Sequence, residues 1–222
     1  MSLHCFLSVI QQSALFAHIK KEDIDGLLHI MDAHTRSYTK GSFILYAGDP
    51  IPRLGIVLSG TVHILQEDYW GNRNILSRIQ PGSLFGEAFA CLPDARSTVD
   101  AVALENTEVL FISVTSILHA GQVLTKPQEQ VVLNLLAIMA RRNMQLTQKI
   151  RYIAQRSTRQ KLMFYLSEEA MRQGGPAFTI PFNRQQLADF LSVDRSAMSA
   201  ELSKMKKEGL IEYHRDQFIL KG

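Results

Sequence analysis

Apolar residues recur every three or four positions near the end of the chain and predict two consecutive helices there. They are Leu187, Phe190 and Leu191 in the first helix, and Met198, Leu202 and Met205 in the second. Only Ser192, Val193 and Asp194 separate the two helices. Residues 210–220 then form two short apolar runs around a turn. This order predicts a helix-turn-helix followed by a wing, and an ordinary αα-hairpin is the structural alternative.

The ends of these two helices carry capping signals. Asn183 precedes the first helix, with Gln186 three residues later as in a capping box, and Asp194 precedes the second. Arg and Ser near the start of a short second helix suit contact with base edges in the major groove of DNA. The predicted DNA-contacting residues are Asn183, Arg184, Arg195, Ser196, Ser199 and Lys204.

A long helix is predicted upstream, from about Pro127 to Ile153. One face carries residues at alternating spacings of four and three, which is a heptad seam typical of pairing with a second helix. The seam consists of Val132, Leu136, Met139, Asn143, Leu146, Ile150 and Ile153. A separate, second stripe consists of Val131, Leu135 and Ile138. We expect the second stripe to pack on the preceding domain and Asn143 to fix the register of the pair. A helix buried on both sides in a monomer is the alternative, and Gln155–Arg159 is the predicted hinge.

The first half of the chain has a different pattern. Short amphipathic helices are predicted up to about Asp32. From Arg36 to Val114, short apolar runs alternate with turn glycines, which are Gly48, Gly60, Gly71 and Gly82. Trp70–Arg73 is a predicted hairpin turn. Regular spacing of this kind predicts an antiparallel roll of short strands.

Length and composition limit the class of protein. The chain has 222 residues, of which 46% are hydrophobic, and can form two domains. It contains neither a run long enough to span a membrane nor a basic secretory leader, so a cytoplasmic protein without a membrane partner is expected. Two cysteines, Cys5 and Cys91, are too few for a disulfide framework.

Charge is distributed unevenly along the chain. Residues 1–125 carry 8 Lys and Arg against 12 Asp and Glu, whereas residues 126–222 carry 16 against 9. No acidic residue occurs from Gln130 to Ser167, where seven basic residues lie. A basic C-terminal half is the electrostatic expectation for a nucleic-acid-binding domain.

The strongest candidate for a small-molecule site is the segment Gly82–Val99. A glycine, a short helix and then an arginine with neighbouring hydroxyls can hold a phosphate, because helix N–H groups and a guanidinium both bind anions. Gly86, Arg96 and Ser97 fit these roles, and Glu87 is placed to accept a sugar hydroxyl. A surface turn with an Arg–Glu ion pair is the alternative.

The segment PGSLFGEAFACLPDARSTV resembles the phosphate-binding cassette of cyclic-nucleotide-binding domains. Together with the roll, the long helix containing MARR, and LSVDRSAMS, it makes nearly the whole chain similar to the CRP/FNR family of bacterial transcription regulators. The resemblance implies an α+β fold with an N-terminal jelly-roll-like β-roll for effector sensing (1–125), a dimerisation helix (126–155) and a winged helix-turn-helix (156–222). The implied effector-binding residues are Gly86, Glu87, Ala88, Arg96, Ser97, Thr98, Arg142 and Thr147.

The same resemblance implies partners and an effector. These are a homodimer joined through the long helix, a palindromic double-stranded DNA operator, RNA polymerase, and cyclic AMP or another cyclic nucleotide, with no metal. In two places the chain departs from the family pattern. Thr147 supplies one hydroxyl near the base, whereas Leu146 supplies none. Position 200 is Ala200 where many members have a second arginine, so one guanine contact is expected to be missing, and Glu201 is a substitute that can accept from cytosine.

Two other classes of function stay open at this point. A haem or iron–sulfur sensor on the same scaffold would use Cys5, Cys91 and some of the seven histidines, although these show no ligand spacing. An enzyme is the third class, but no nucleophile, phosphate-loop or metal-protease motif occurs, and no histidine lies near Ser97 in the sequence to activate it. No catalytic residue is predicted.

Overall fold

The computed structural model describes residues 3–67, 73–113, 115–118 and 123–221. Compactness divides the chain into an N-terminal unit, Met1–Ala140, and a C-terminal unit, Arg141–Gly222. The division falls inside the long helix, so the three-segment division at 125 and 155 stays a prediction. In the described part of the chain, no helix has both the length and the apolar character needed to cross a bilayer.

The N-terminal unit consists of helices followed by two antiparallel four-stranded sheets, in the orders β1-β8-β3-β6 and β2-β7-β4-β5. Its helices are α1 (Leu7–Gln12), α2 (Lys21–Ile30), α3 (Glu87–Ala90) and α4 (Thr115–Leu118), with 3₁₀ turns at Leu3–Phe6 and Ala14–Phe16. Its strands are β1 (His34–Tyr38), β2 (Phe43–Leu45), β3 (Leu54–Ser59), β4 (Val62–Glu67), β5 (Arg73–Ile79), β6 (Leu84–Phe85), β7 (Asp100–Ala103) and β8 (Thr107–Ile112). The predicted antiparallel roll is therefore confirmed.

Glycines lie at turns of this roll, as their spacing predicted. Gly48, Gly60 and Gly82 have φ of 92°, 79° and 83°, in the left-handed region that other residues rarely adopt. Gly60 is also sterically confined, since a Cβ atom there would lie 2.5 Å from Thr107 Oγ1. β4 pairs with β5, but residues 70–72 of the predicted hairpin turn lie outside the described residues.

Helix α5 (Lys126–Ile153) confirms the predicted long helix, and its first half contributes to the N-terminal core. Val131 and Leu135 are buried in the same cluster as Ile10, Leu15 and Leu110, with Ile138 packed against it, as predicted for the second stripe. Asn134 Nδ2 donates hydrogen bonds to the carbonyl oxygens of Leu15 and Ala17 at 2.9 and 2.8 Å. These bonds fix the start of α5 to the N-terminal helices.

The predicted seam of α5 is largely exposed in the single chain. Leu136, Leu146 and Ile150 are 60%, 62% and 65% exposed, and Asn143 is also exposed. Val132 and Met139 of the same seam are partly buried against the N-terminal core, so only the remainder of this face lacks a covering surface in the single chain. The residues keep the regular spacing expected of a surface that pairs with another helix.

The C-terminal unit continues from the second half of α5 into a small mixed domain. Its elements are α6 (Thr158–Gln173), β9 (Ala177–Thr179), α7 (Arg184–Leu191), α8 (Arg195–Lys207), β10 (Ile211–His214) and β11 (Gln217–Leu220). The strands form an antiparallel sheet in the order β10-β11-β9. Leu187, Leu191, Met198, Leu202 and Met205 are all buried in its core, which confirms the predicted apolar faces and the wing.

Candidate functional site

The predicted phosphate-binding segment starts with a sharp turn from strand into helix. β6 ends at Phe85, and Gly86 adopts a left-handed conformation with φ of 74° immediately before α3. The Gly86 carbonyl accepts from the amides of Phe89 and Ala90 at 3.2 and 2.9 Å. The first amides of a helix have no partner within the helix, so a glycine turn of this kind directs N–H groups outward.

Arg96 lies at the other end of the segment, beside the turn that contains Gly48. Its Nη1 donates to the Gly48 carbonyl at 2.8 Å. The adjacent main chain is paired with the same turn, since the Ser97 amide donates to Asp49 and the Gly48 amide donates to Ser97, at 2.9 and 2.8 Å. A guanidinium has five N–H donors, so the bond to Gly48 orients Arg96 and leaves donors for an anion.

Two of the predicted effector-binding side chains are deeply buried. Glu87 is 1% exposed and Ser97 is 3% exposed. The Ser97 hydroxyl donates to the Val99 carbonyl at 2.6 Å, so it must rotate before it can donate to a ligand. Ala88 and Thr98 are exposed. Both ends of the cassette adjoin the same loop, since a Cβ atom at Gly86 would lie 3.5 Å from Ile51 Cγ2 and Arg96 forms a β-bridge with Pro50. The role of the six cassette residues in binding stays a prediction.

The other two predicted effector-binding residues, Arg142 and Thr147, lie on the part of α5 that belongs to the C-terminal unit. Thr147 is exposed and lines a groove of about 570 Å³ with neighbours that include Asn143, Gln148 and Arg151. Arg142 is partly buried, and this burial lowers the pKa of its guanidinium. Their contact with an effector also stays a prediction.

The helix-turn-helix has the caps that the sequence predicted. Asn183 Oδ1 accepts from the Gln186 amide and Gln186 Oε1 accepts from the Asn183 amide, both at 2.9 Å, which is a complete capping box. Ser192 closes α7 in a left-handed conformation with φ of 52°. Asp194 Oδ1 accepts from the Ala197 amide at 2.8 Å and caps α8, and the hydrogen bonds to Asp194 lower the pKa of its carboxyl. These contacts fix the start of α8.

The start of α8 presents polar side chains away from the core. Arg195, Ser196 and Lys204 are exposed, and Ser199 is partly exposed. The Ser196 hydroxyl donates to Asp194, and the Ser199 hydroxyl donates to the Arg195 carbonyl at 2.9 Å. Both serines therefore offer acceptor lone pairs to a base edge. Among the described residues, no hydrogen bond or ion pair to the Arg195 guanidinium is found, so that side chain is available.

Two basic side chains of the C-terminal unit, Arg184 and Lys161, have contacts inside the domain. The Arg184 guanidinium lies 4.8 Å from the Tyr213 ring centroid and 5.2 Å from that of Phe218, and burial lowers its pKa. Lys161 Nζ donates to the carbonyls of Leu191 and Ser192 at 3.1 and 3.3 Å.

Glu201, expected as a substitute base contact, faces α6 instead. Its carboxylate lies 3.4 Å from Arg159 Nη1, and Arg159 also pairs with Glu208 at the C-terminal end of α8. A helical step of 100° separates Glu201 from Ala200, which is exposed. In this conformation the Glu201 carboxylate is therefore engaged by Arg159, and its contact with cytosine stays a prediction. Sequence reasoning missed the architectural role of Arg159, although its acidic partners on a neighbouring helix were a usable signal.

Cys5, Cys91 and the histidines are the candidate metal ligands of this chain. Among the described residues, no three His, Cys, Asp or Glu side chains lie together as metal ligands. Burial raises the pKa of the Cys91 thiol, which disfavours the thiolate that binds metal. The haem or iron–sulfur alternative therefore gains no support from the described part of the chain.

The roll with its cassette, followed by a winged helix-turn-helix, defines a DNA-binding regulator with a sensor domain. Comparison with known proteins agrees: residues 35–123 match the model of the cyclic nucleotide-binding domain, and residues 160–221 match that of the Crp-like helix-turn-helix domain. The chain is 30% identical over 179 residues to a probable transcriptional regulator, flp, of Lacticaseibacillus casei, covering 81% of this chain and 79% of that protein.

Two further similarities extend over nearly the whole chain. It is 26% identical to the cAMP-activated global transcriptional regulator Vfr of Pseudomonas aeruginosa, over 91% of this chain and 95% of Vfr. The crystal structure of the Thermus thermophilus catabolite activator protein matches with a TM-score of 0.57 and 28% identity, over 94% of each chain. The chain belongs to the CRP/FNR family of DNA-binding transcription regulators, which act as regulators and not as enzymes.

Proposed function

We propose that the protein is a homodimeric, effector-gated transcription regulator that binds a roughly palindromic operator. The observation that carries this proposal is the apolar seam of α5, which stays exposed in a single chain although Leu136, Leu146 and Ile150 repeat with heptad spacing. Burying such a seam against a second copy is the ordinary way to remove it from water. The two-fold axis of that pair would present two α8 helices to successive major grooves, about 34 Å apart.

DNA reading is assigned to the start of α8. Arg195 is proposed to contact a guanine, with Ser196 and Ser199 as acceptors for neighbouring base edges. Three further residues are proposed to lie near the phosphate backbone of the DNA. They are Lys204 on the same helix, and Asn183 and Arg184 at the start of α7. RNA polymerase is the partner through which such a regulator would act, and the cytoplasm is where it would meet DNA.

Effector binding is assigned to the cassette, with Arg96 and Ser97 on a phosphate and Glu87 on a ribose hydroxyl. The left-handed Gly86 turn and the Arg96–Gly48 bond support a preformed anion site. The match to the cyclic nucleotide-binding domain and the similarity to Vfr favour a cyclic nucleotide, cyclic AMP first. Thr147, and Arg142 on the same helix, would complete the site near the base.

Calorimetric titration with cyclic AMP and cyclic GMP tests the effector. Saturable binding that Arg96→Ala abolishes supports the cassette, and Arg78→Ala, at an exposed position of β5 in the same unit, serves as the matched control. Coupling between effector and DNA is typically worth about 1–3 kcal/mol, so operator affinity should change by roughly 5- to 150-fold on saturation. Binding that survives Arg96→Ala unchanged would place the ligand elsewhere.

Light scattering tests the dimer. Wild-type protein should have twice the 25.0 kDa mass of one chain. Leu146→Glu, in the middle of the seam, should yield monomers, because a charge in an apolar seam must be desolvated. Gln145→Glu adds the same charge at an exposed position on the face away from the seam and should leave the dimer intact. A wild-type monomer at working concentration would contradict the proposal.

A further inference from the structure

The last turns of α5 are built into the core of the helix-turn-helix domain. Tyr152 is 1% exposed, although it belongs to the long helix and not to the winged domain in sequence. Its ring centroid lies 5.8, 5.6 and 5.3 Å from those of Phe164, Tyr165 and Phe190. Phe164 and Tyr165 belong to α6 and Phe190 to α7, so one side chain of α5 contacts two helices of the C-terminal unit.

Hydrogen bonds and an ion pair reinforce this aromatic contact. The Tyr152 hydroxyl donates to Glu168 Oε2 at 2.6 Å, and Gln148 Nε2 donates to the same hydroxyl at 2.8 Å. Arg151 Nη2 lies 3.0 Å from Glu168 Oε1, and its guanidinium lies 5.1 Å from the Phe164 ring centroid. We call Gln148, Arg151, Tyr152, Phe164 and Glu168 the Tyr152 clamp.

The connection continues from the clamp to α8. Phe190 belongs to α7, the first helix of the helix-turn-helix, and α6 is joined to α8 by the Arg159 pairs with Glu201 and Glu208. Only residues 154–157 separate α5 from α6, and the Gln155 amide still donates to the Tyr152 carbonyl at 3.3 Å. Close-packed aromatic contacts transmit displacement and do not absorb it. The end of α5 and the start of α8 therefore belong to one packed body.

We propose that the Tyr152 clamp determines which spacing between operator half-sites the protein accepts. The inference rests on the proposed function, because it needs two α5 helices joined about a two-fold axis. The clamp then fixes the direction in which each α8 leaves that axis. Adding one base pair between half-sites displaces the second half-site by about 3.4 Å and rotates it by about 35°, which a rigid pair cannot follow. In this conformation α5 is packed on α6 directly before residues 154–157, and the hinge at Gln155–Arg159 stays a prediction.

The test uses full-length protein and duplexes built on the operator that wild-type protein selects from random DNA. The central spacer is kept, lengthened or shortened by one base pair, and affinity is measured by fluorescence anisotropy. Wild-type protein should lose roughly tenfold or more in affinity on either change, comparable to a mismatched base pair. Tyr152→Phe removes the hydrogen bonds of the hydroxyl but keeps the ring. A one-base-pair change of the spacer should therefore reduce the affinity of this variant by at most about threefold, and the preferred half-site sequence should stay the same.

Two further variants make the outcome decisive. Glu168→Gln keeps an acceptor for Tyr152 and removes the charge that pairs with Arg151, so it should relax the spacing preference less than Tyr152→Phe. It also tests the clamp if Tyr152→Phe does not fold. Arg172→Gln breaks an ion pair with Glu169 within α6 and should leave the spacing preference as in wild type.

Failure of the inference and failure of the proposed function give different results. If wild-type protein binds all three spacers equally, the rigid dimer fails and the inference fails with it. If wild-type protein discriminates between spacers and both clamp variants discriminate equally well, the proposed function stands and the clamp has no role in spacing. A relaxed preference confined to the clamp variants supports the inference.

Discussion

The two units of the chain use charged side chains in different ways. The N-terminal unit is built on antiparallel main-chain ladders, glycine turns and two apolar clusters. In the C-terminal unit, arginine and lysine side chains connect the helices to one another. Arg151 joins α5 to α6, Arg159 joins α6 to α8, and Lys161 binds the carbonyls at the end of α7.

This difference limits what net charge can reveal about function. The acid-free stretch from Gln130 to Ser167 points to DNA because of its seven basic residues. Three of them, Arg151, Arg159 and Lys161, have partners inside the domain. Basic composition therefore identified the class of ligand, whereas the structure is needed to separate arginines that can meet DNA from arginines that hold helices together.

The largest expected effect lies in a glycine turn of the N-terminal unit. Gly60→Ala should lower the free energy of unfolding of that unit by about 2–4 kcal/mol, through a left-handed alanine and overpacking against Thr107 and the Asn106 carbonyl. Gly48→Ala, where the added Cβ meets open space, should cost only about 1–2 kcal/mol. Hydrogen exchange resolved by peptide measures both. Equal effects would show that steric confinement at Gly60 is not important.

The next effect distinguishes an arginine proposed to read a base, Arg195, from one that packs on aromatic rings inside the domain, Arg184. Arg195→Ala should weaken operator binding by about 1–3 kcal/mol and relax the preference at one base pair, with stability unchanged. Arg184→Ala should reduce the stability of the C-terminal unit by about 0.5–1 kcal/mol, since its guanidinium lies over Tyr213 and Phe218, and should weaken binding to all sequences alike without changing the preferred one. Thermal unfolding and binding to a panel of operator variants distinguish them. An Arg195→Ala protein with an unchanged preferred sequence would contradict the assignment to base reading.

A smaller effect concerns salt. Arg156 is exposed in the link before α6, and Arg156→Ala should weaken binding to all sequences alike and flatten the plot of log affinity against log salt by about one. Lys161→Met should leave that slope unchanged and destabilise the C-terminal unit, because two carbonyls at the end of α7 lose a donor. Anisotropy titrations at several salt concentrations give the slope. A reduced slope for Lys161→Met would show that Lys161 contacts phosphate.

The smallest effect is a pH dependence of the C-terminal unit. Hydrogen bonding to Arg159 lowers the pKa of Glu208 below its ordinary range. A depressed carboxyl pKa adds stability above the unfolded-state pKa, about 4.3, and that stability is lost as pH falls further. Glu208→Gln should therefore lower the melting temperature at neutral pH and reduce its fall on acidification. Because the pair is on the surface, 1 M salt should weaken the same effect. A melting profile identical to wild type from pH 3 to 7 would contradict this contribution.

Sequence patterns predicted the fold well because the relevant signals are local. The capping box at Asn183, the Asp194 cap and the α8 core positions depend on spacings of three or four residues, and all are confirmed. The pairing of Glu201 with Arg159 was missed because it depends on how α6 packs beside α8, which no local spacing encodes. Tyr152 was missed for the same reason, since within α5 it looks like an ordinary aromatic residue. The cassette was recognised by resemblance, and the bonds that orient Arg96 and Ser97 came only from the structure.

Selection from a random DNA pool with wild-type protein tests the central claim most directly. A dimer joined through α5, with Arg195 at the tip of each reading helix, should enrich an inverted repeat with a guanine in each half-site and half-site centres about one helical turn apart. Enrichment of a single unpaired half-site, or of no sequence at all, would contradict the account.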